Sequence, residues 1–417
     1  MKTFIFFTLN DFTKDGGGTI RMKAIVNSLA KKDKKVILFS NAQSTSGFDK
    51  NIKHISIGEV FTKNDKRRFQ LLLTLLPFSL FKLIYRKFFN KINKLFLKNK
   101  ISSPIIFFEH LDNSIGYALH KHKILSQYIN DTHGIAVMEF LYKSTTSYPQ
   151  KATNYIKAFF ANRLDRKVFT SAYGLIFVSH AMKNYFFKRS LIKTDKILIL
   201  RDGVNENLCH SIVNNTKVKE LKNKFQLTAV NKVVFFAGNF KDLGGVLDLL
   251  QAFLYLVKWG EMKGLRLLLL GDGECYNTAI SFVNKHQLNN VVIFVGRTDH
   301  NELRNYQELA DIIVCPDKQH PFSELVPHIK YFDSLASGKV VINGSFASVK
   351  EINIDEKFSI DFQPSNILDL ANKITMAMQN IEYYKEKYKN NKTIICSQYS
   401  YKNFIEDLIS FMEENIW

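Results

Sequence analysis

Three kinds of residue in this sequence stand where they could act on a negatively charged ligand: glycines after apolar runs, a lysine paired with a carboxylate, and two histidines. The densest group is HPFSELVPHIKYFDSLASGKVVI, residues 320–342. It follows the apolar run DIIVCP and a short polar loop, predicts a helix from about Pro327, and ends in Ser337-Gly338. Lys330 and Asp333 lie three apart, so they share one face of that helix. The lysine can neutralise a diphosphate, and the carboxylate can accept hydrogen bonds from a ribose or sugar hydroxyl. The plain alternative is a surface ion pair.

Asp15-Gly16-Gly17-Gly18-Thr19 follows the first apolar run and leads into a helix. Glycines let a backbone approach a ligand closely, and a helix N-terminus favours an anion such as a diphosphate. The pattern is not GxGxxG, and no acidic residue ends the second strand to clamp a dinucleotide ribose. A tight turn is the alternative. In the second half, AGNFKDLGGVLDLLQAF brings Asn239, Lys241, Gly244 and Gly245 after a strand. Gly271-Asp272-Gly273 and Gly296-Arg297 end the next two strands. Each glycine alone is ordinary punctuation; their recurrence after successive strands is the signal. His133 in NDTHG and His110 in FFEHLD follow strands of the first half. Either could donate to a sugar hydroxyl or phosphate, or be a satisfied structural histidine.

These residues need a scaffold of short apolar strands alternating with helices. The first half predicts strands at Lys2–Thr8, Val36–Ser40, Pro104–Phe108, Ile124–Ile129 and Leu175–Ser179, with helices at Thr19–Lys31 and Lys151–Thr170. The second half predicts strands at Lys232–Ala237, 265–270, 290–296, 311–316 and 339–344, then an amphipathic helix at Tyr401–Met412. Continuous apolar runs between helices indicate parallel sheets covered on both faces. A chain of 417 residues suits two such domains. The expected division is 1–203, a linker region at 204–230, a second domain at 231–398 and a closing helix at 399–417. Two α/β domains would leave a cleft at the carboxyl ends of both sheets, where ligands of open α/β sheets bind.

Composition narrows the class. Apolar residues make up 46% and charged residues 23%, which fits a folded chain. The net charge is +20, and half of it falls in residues 61–100, where eleven Lys/Arg meet one acidic residue, Asp65. That segment mixes Leu, Phe and Lys at spacings of amphipathic helices broken near Pro77. It could lie on an anionic membrane surface through Arg67, Arg68, Lys82, Arg86 and Lys87, or pack on its own domain with the cations in water. No recognition module points to nucleic acid. No run of about 18 apolar residues predicts a membrane span, and the apolar start reads as a strand, not a signal peptide. Cys209, Cys275, Cys315 and Cys396 show neither close pairing nor zinc spacing, so no disulfide is expected and a reducing, cytoplasmic setting fits.

Together these stretches resemble the family-4 retaining glycosyltransferases. They are DGGGTIRMKAIVNSLAKK, GLIFVSHAMKNYF, ILRDGVN, VVFFAGNFKDLGGVLDLLQAF, LLLLGDGE, VIFVGRTDHNELRNYQELADIIVCP and VPHIKYFDSLASGKVVI. The resemblance runs through nearly the whole chain and is strongest over 232–342. It implies the GT-B fold, two Rossmann-like domains facing each other across a cleft, with the final helix crossing back to the first domain. It also implies a nucleotide-sugar, UDP-linked by preference, as co-substrate, with no tightly bound cofactor and no essential metal. By the same resemblance the second domain holds the donor, and the first presents a glycan or lipid-linked acceptor. His133 matches the histidine that touches the donor sugar, and Lys330 the lysine of a Pro-x-x-Lys sequence. Asp333 takes the second position of a Glu-x7-Glu pattern, usually the ribose ligand. Gly16, Gly17 and Gly18 would lie near the diphosphate, with His110 on the acceptor side. Asn239, Lys241, Gly244, Gly271, Asp272, Arg297, Leu325 and Val326 would line the donor.

The sequence also departs from the family. Asn239 stands where the family usually has Arg, and Gly244 where it has Lys; Lys241 or Arg297 are the candidate substitutes. The first Glu of Glu-x7-Glu falls on Leu325, with Glu324 one position earlier as the candidate for that catalytic role. The expected activity is retaining transfer of a hexose-type sugar in cell-surface polysaccharide biosynthesis, by a cytoplasmic protein with a peripheral membrane seat. The departures keep a silent nucleotide-sugar-binding or scaffold protein as the alternative. An epimerase ranks third, and no paired carboxylates suggest a double-displacement glycosidase.

Overall fold

The computed structural model describes residues 3–12, 17–58, 63–101, 105–110, 112–141, 148–204, 206–258 and 263–415. Among the described residues thirteen strands build two sheets. The first holds β1 (Thr3–Phe7), β2 (Lys35–Ser40), β3 (Ile52–Ser56), β4 (Ile105–Glu109), β5 (Gln127–Thr132), β6 (Gly174–Phe177) and β7 (Ile197–Ile199), in the order β3-β2-β1-β4-β5-β6-β7. The second holds β8 (Lys232–Ala237), β9 (Leu265–Leu270), β10 (Val292–Gly296), β11 (Ile312–Cys315), β12 (Val340–Gly344) and β13 (Ile360–Phe362), in the order β10-β9-β8-β11-β12-β13. The pairings are parallel in both sheets.

The helices α1 (Gly17–Lys31), α2 (Lys63–Leu75), α3 (Phe78–Ile84), α4 (Arg86–Lys98), α5 (Asn113–Lys121), α6 (Ala136–Leu141), α7 (Tyr148–Ser171) and α8 (His180–Lys188) belong to the first half. They are followed by α9 (Glu206–His210), α10 (Asn215–Lys224), α11 (Val246–Lys258), α12 (Tyr276–Lys285), α13 (Leu303–Gln307), α14 (Pro321–Leu325) and α15 (Ile329–Leu335). The last are α16 (Ala347–Lys350), α17 (Ile367–Gln379), α18 (Ile381–Lys387), α19 (Asn391–Gln398) and α20 (Tyr401–Asn415). The chain divides into a unit of Met1–Arg201 with Phe404–Trp417, and a unit of Asp202–Asn403. The expected class, two Rossmann-like α/β domains with a C-terminal helix, is the one observed.

Continuous apolar strands arise because both faces of each sheet are covered. In the second sheet Val234, Phe236, Leu267 and Leu269 pack into one core, while Val233, Phe235, Leu268 and Leu270 pack into another on the opposite face. Three differences from the sequence reading stand out. Residues expected as a linker, 204–230, carry α9 and α10, and Leu208, Cys209, Val218 and Leu221 enter the core of the second unit. The strand expected at Ile124–Ile129 begins three residues later. The backbone N–H groups of Ile124 and Leu125 close the end of α5 on the Leu119 carbonyl. Finally, Cys209 and Cys396 form a disulfide, their Cα atoms 5.6 Å apart across 187 residues of chain, against the expectation of none.

Candidate functional site

In each sheet the strand order reverses beside a central strand: between β1 and β4 in the first, and between β8 and β11 in the second. A crevice outside the carboxyl ends at such a reversal is where open α/β sheets bind ligands. Each unit has its own cluster of charged groups there.

In the second unit the loop after β8 meets the loop after β11. Gly245 has φ +70°, and a Cβ on it would sit 1.7 Å from the Pro316 carbonyl oxygen, so only glycine allows this approach. Lys318 ties the loops further: its amide donates to the Leu243 carbonyl, and its ammonium pairs with Asp242 at 2.9 Å and Asp248 at 3.4 Å. The neighbouring loops join in, since Phe240 donates to the Asp272 carbonyl and Gly271 to that of Gly296.

Lys330, in the first turn of α15, points into this corner. Its Cδ is 3.6 Å from where a Cβ on Gly238 would lie, and its ammonium stands 5.3 Å from the centre of the Phe236 ring. It is held by Asp317, whose Oδ1 accepts from Lys330 at 2.8 Å and from His328 Nδ1 at 3.0 Å. Asp317 is buried. Burial would raise its carboxyl, but His328 and Lys330 outweigh that and hold it at about 2. A lysine fixed in this way is a stationary positive charge at the mouth of the sheet.

Asp333 lies one turn further along α15 and is buried as well. Its Oδ2 is 3.0 Å from His300 Nε2, and its carbonyl accepts from Gln307 at 3.1 Å. Its Oδ1 is buried with no hydrogen-bond partner, an acceptor left free for a donor that arrives with a ligand. Lys330 and Asp333 therefore serve different partners, and the surface ion pair weighed from spacing is not what holds them.

In the first unit Glu109 ends β4 and Asp131 lies in β5, with His133 just beyond its end. Glu109 accepts from Thr8 Oγ1 and from Asn10 Nδ2, both at 2.7 Å, and its Oε1 is 3.4 Å from His133 Nε2. On the other side of the imidazole, Asp131 Oδ2 is 4.0 Å from Nδ1. Asp131 is itself clamped by fully buried Arg21 of α1 at 3.1 and 2.8 Å, and Arg21 also donates to the Leu200 carbonyl at 3.0 Å. Burial raises the Glu109 carboxyl, yet His133, Thr8 and Lys66 bring it down to about 2. Burial likewise lowers His133, and Glu109 and Asp131 lift it above the ordinary histidine value. The result is a half-buried imidazole biased toward its protonated, donating form.

Comparison with known proteins sharpens this picture. Residues 217–414 match the family model "Glycosyl transferases group 1". Among solved structures, sucrose-phosphate synthase from Thermosynechococcus elongatus superposes over 99% of both chains, with a TM-score of 0.77 and 17% identity. Alr3699/HepE from Anabaena, in complex with UDP-glucose, superposes over 99% of both chains, with a TM-score of 0.71 and 14% identity. The chain has the GT-B fold and is related to that family. TuaH of Bacillus subtilis, a candidate teichuronic acid biosynthesis glycosyltransferase, is 32% identical over 120 residues, 28% of this chain. The chain spans 30% of the length of TuaH, and 58% and 32% of two further curated relatives.

Within this GT-B chain the residues singled out from sequence fall in several different places. Asn239, Gly244, Gly271, Asp272 and Lys330 converge at the end of the second sheet, with Asn239 Oδ1 2.4 Å from where a Cβ on Gly273 would stand. Lys241 and Arg297 are exposed in loops beyond β8 and β10. Glu324 is committed elsewhere: its Oε1 accepts from Gln319 at 2.8 Å, and its Oε2 caps α16 through the Ala347 amide at 2.7 Å. Val326 is buried and Leu325 half-buried at the end of α14. In the first unit Gly17 and Gly18 open α1, while Gly16 lies outside the described residues. A Cβ on Gly18 would stand 2.5 Å from Glu109 Oε1 and 3.0 Å from His133 Nε2, so a side chain here would press on the ends of both. His110 is buried, 3.4 Å from Glu139 of α6, with its ring centre 5.8 Å from that of His133.

Sequence reasoning passed over Asp317, His328, His300, Glu109, Asp131 and Arg21. Two had a usable signal. Glu109 adjoins His110 and Asp131 lies in NDTHG, both at strand ends, and the histidines drew attention from the carboxylates beside them. Among the described residues no set of three His, Cys, Asp or Glu side chains stands ready for a metal ion.

Proposed function

We propose that this chain is a retaining glycosyltransferase that moves a hexose-type sugar from a nucleotide diphosphate donor, UDP-linked by preference, to a hydroxyl of a glycan or lipid-linked acceptor in cell-surface polysaccharide biosynthesis. The observation that carries the proposal is Lys330, pinned by buried Asp317 where the order of the second sheet reverses. In this reading its ammonium takes up the charge that develops on the diphosphate as the bond to the anomeric carbon breaks. Asp333 offers its unpartnered Oδ1 to a ribose hydroxyl while His300 holds the other oxygen. His133, biased toward the donating form, hydrogen-bonds the transferring sugar, and the first unit presents the acceptor. The complex of the Anabaena protein with UDP-glucose supports a donor of this class.

Arg67, Arg68, Lys82, Arg86 and Lys87 are exposed, and peripheral contact with an anionic membrane on the cytoplasmic side belongs to the same proposal. No helix among the described residues is long and apolar enough to cross a membrane. A second reading, a nucleotide-sugar-binding protein without turnover, is favoured by one observation: both carboxylate oxygens of Glu324 are spent on structural bonds. Titration calorimetry of UDP-, GDP-, ADP- and CMP-sugars against the protein and its Lys330→Ala and Asp333→Ala variants tests the site. Selective binding lost in both variants supports it, and binding untouched by either removes the donor site proposed here. Sugar release from the bound donor on adding acceptor separates transfer from silent binding.

A further inference from the structure

The basic segment exposes aliphatic side chains, Leu75, Leu80, Leu83, Ile84 and Leu97, spread over α2, α3 and α4. In α4 the side chains of Phe88, Phe89, Ile92 and Phe96 are buried, leaving Lys87, Lys91, Lys94 and Lys98 along the outer side. A row of ammonium groups attracts an anionic surface but inserts nothing into it. A cluster of exposed aromatic groups stands on another helix, α7.

Only the C-terminal half of α7 is anchored in the first unit, through Leu164, Val168 and Phe169 with Ala158 at its start. Along its N-terminal half Tyr148 is 86% exposed, Tyr155 68%, Ile156 58% and Phe159 56%. Tyr148, Tyr155 and Phe159 recur at spacings of seven and four, with Ile156 adjacent, so they share one side of the helix. Cations frame them: Lys151 is exposed, and the Arg163 guanidinium lies 5.7 Å from the centre of the Phe159 ring. The sequence holds no Asp or Glu between Glu139 and Asp165. Aromatic rings among lysines and arginines suit the headgroup layer of a bilayer, where rings sit at the apolar boundary and cations reach the phosphates.

We propose that the N-terminal half of α7 seats this protein on an anionic bilayer, inserting Tyr155, Ile156 and Phe159 while the α2–α4 cations supply long-range attraction. Charge selects this occupant over a second copy of the chain, because two such faces would set the same cations against each other. The consequence for the site rests on the transfer reading above. α6 packs against α7 and begins three residues after His133, so the seated helix brings the His133 loop to the side from which a bilayer-anchored acceptor arrives.

The test is flotation with phosphatidylcholine vesicles, with and without phosphatidylglycerol, at low and high salt. Wild type is compared with Ile156→Ser/Phe159→Ser and with Arg67→Gln/Arg68→Gln. Both double variants change exposed side chains, and circular dichroism checks that each still folds. The wild type is expected to float with anionic vesicles and to keep part of its binding in high salt. The α7 variant should bind at least about tenfold more weakly at high salt, since two large apolar side chains leave the bilayer. The arginine variant should lose binding mainly at low salt. An Ile156→Trp reporter, with Trp259 and Trp417 changed to Phe, should be quenched by lipids brominated on the acyl chain. Equal high-salt binding by the α7 variant, an unquenched reporter, absence of wild-type binding, or a dimer that the α7 variant dissociates would each overturn the proposal. Donor calorimetry without vesicles is read separately: its failure removes the transfer reading and leaves the membrane seat standing.

Discussion

Replacing Asp317 by Asn should expose how much of the second unit's corner depends on one buried carboxylate. Oδ1 accepts charged hydrogen bonds from Lys330 at 2.8 Å and His328 at 3.0 Å. Such bonds contribute about 1.5–3 kcal/mol each, and removing one partner of a buried pair costs about 3–5 kcal/mol. Lys330 retains 19% side-chain exposure and His328 27%, so water recovers part of that loss. The expected destabilisation near neutral pH is about 2–3 kcal/mol. The depressed carboxyl gives an independent figure: about 2 in the folded chain against an ordinary 3.8 is worth about 2 kcal/mol. Because the folded value lies below the unfolded one, this stability is present above about pH 4 and fades as the pH falls toward about 2. Urea denaturation of Asp317→Asn and wild type should therefore show a constant gap above about pH 5 that narrows below about pH 4. The same variant frees Lys330 and should weaken donor binding about tenfold by calorimetry. A gap below about 0.5 kcal/mol at neutral pH, the size of an ordinary surface substitution, would refute the electrostatic argument. Donor binding unchanged in Asp317→Asn would refute its positioning role.

Further perturbations probe the first unit and the cysteines. Gly18→Ala should cost about 1–3 kcal/mol, measured by thermal melting, because its Cβ would press on Glu109 and His133. His133→Asn should destabilise more at pH 6 than at pH 9. His133 is lifted by Glu109 and Asp131, so its contribution is complete below the ordinary histidine value and is lost as the pH rises through its own. A pH-independent loss would show that the imidazole is not charged in the folded chain. Thiol titration of the denatured, unreduced protein should find Cys275 and Cys315 free and Cys209 and Cys396 blocked. Reduction should then lower the melting temperature, since the bond closes a long loop.

Much of the architecture was legible in the sequence because parallel strands buried on both faces must be continuously apolar. Lys232–Ala237 and Leu265–Leu270 were visible for that reason, and they pack into cores on both sides of one sheet. Strands without that signature were missed. β3 lies at one edge of its sheet with half-exposed residues, while β7 and β13 are three residues long, at edges too. The Ile124–Leu125 pair looked like a strand start, but local hydrogen bonding to the end of α5 claimed it.

By itself the sequence determined the α/β class, the two-unit division, the strand-end loops that carry Asn239, Gly271 and His133, and the helix that carries Lys330. Local pattern suffices for these, because helix and strand periodicity repeat within a few residues. Only the tertiary structure decided what those side chains do. Lys330 is held from 13 residues back by Asp317, His133 from another strand by Glu109, and Cys209 by a cysteine 187 residues away. It also turned α4's apolar stripe inward and left α7's aromatic one in water. Charge pairing and burial act through space at a few ångströms, and spacing along the chain says nothing about which distant groups the fold will bring that close.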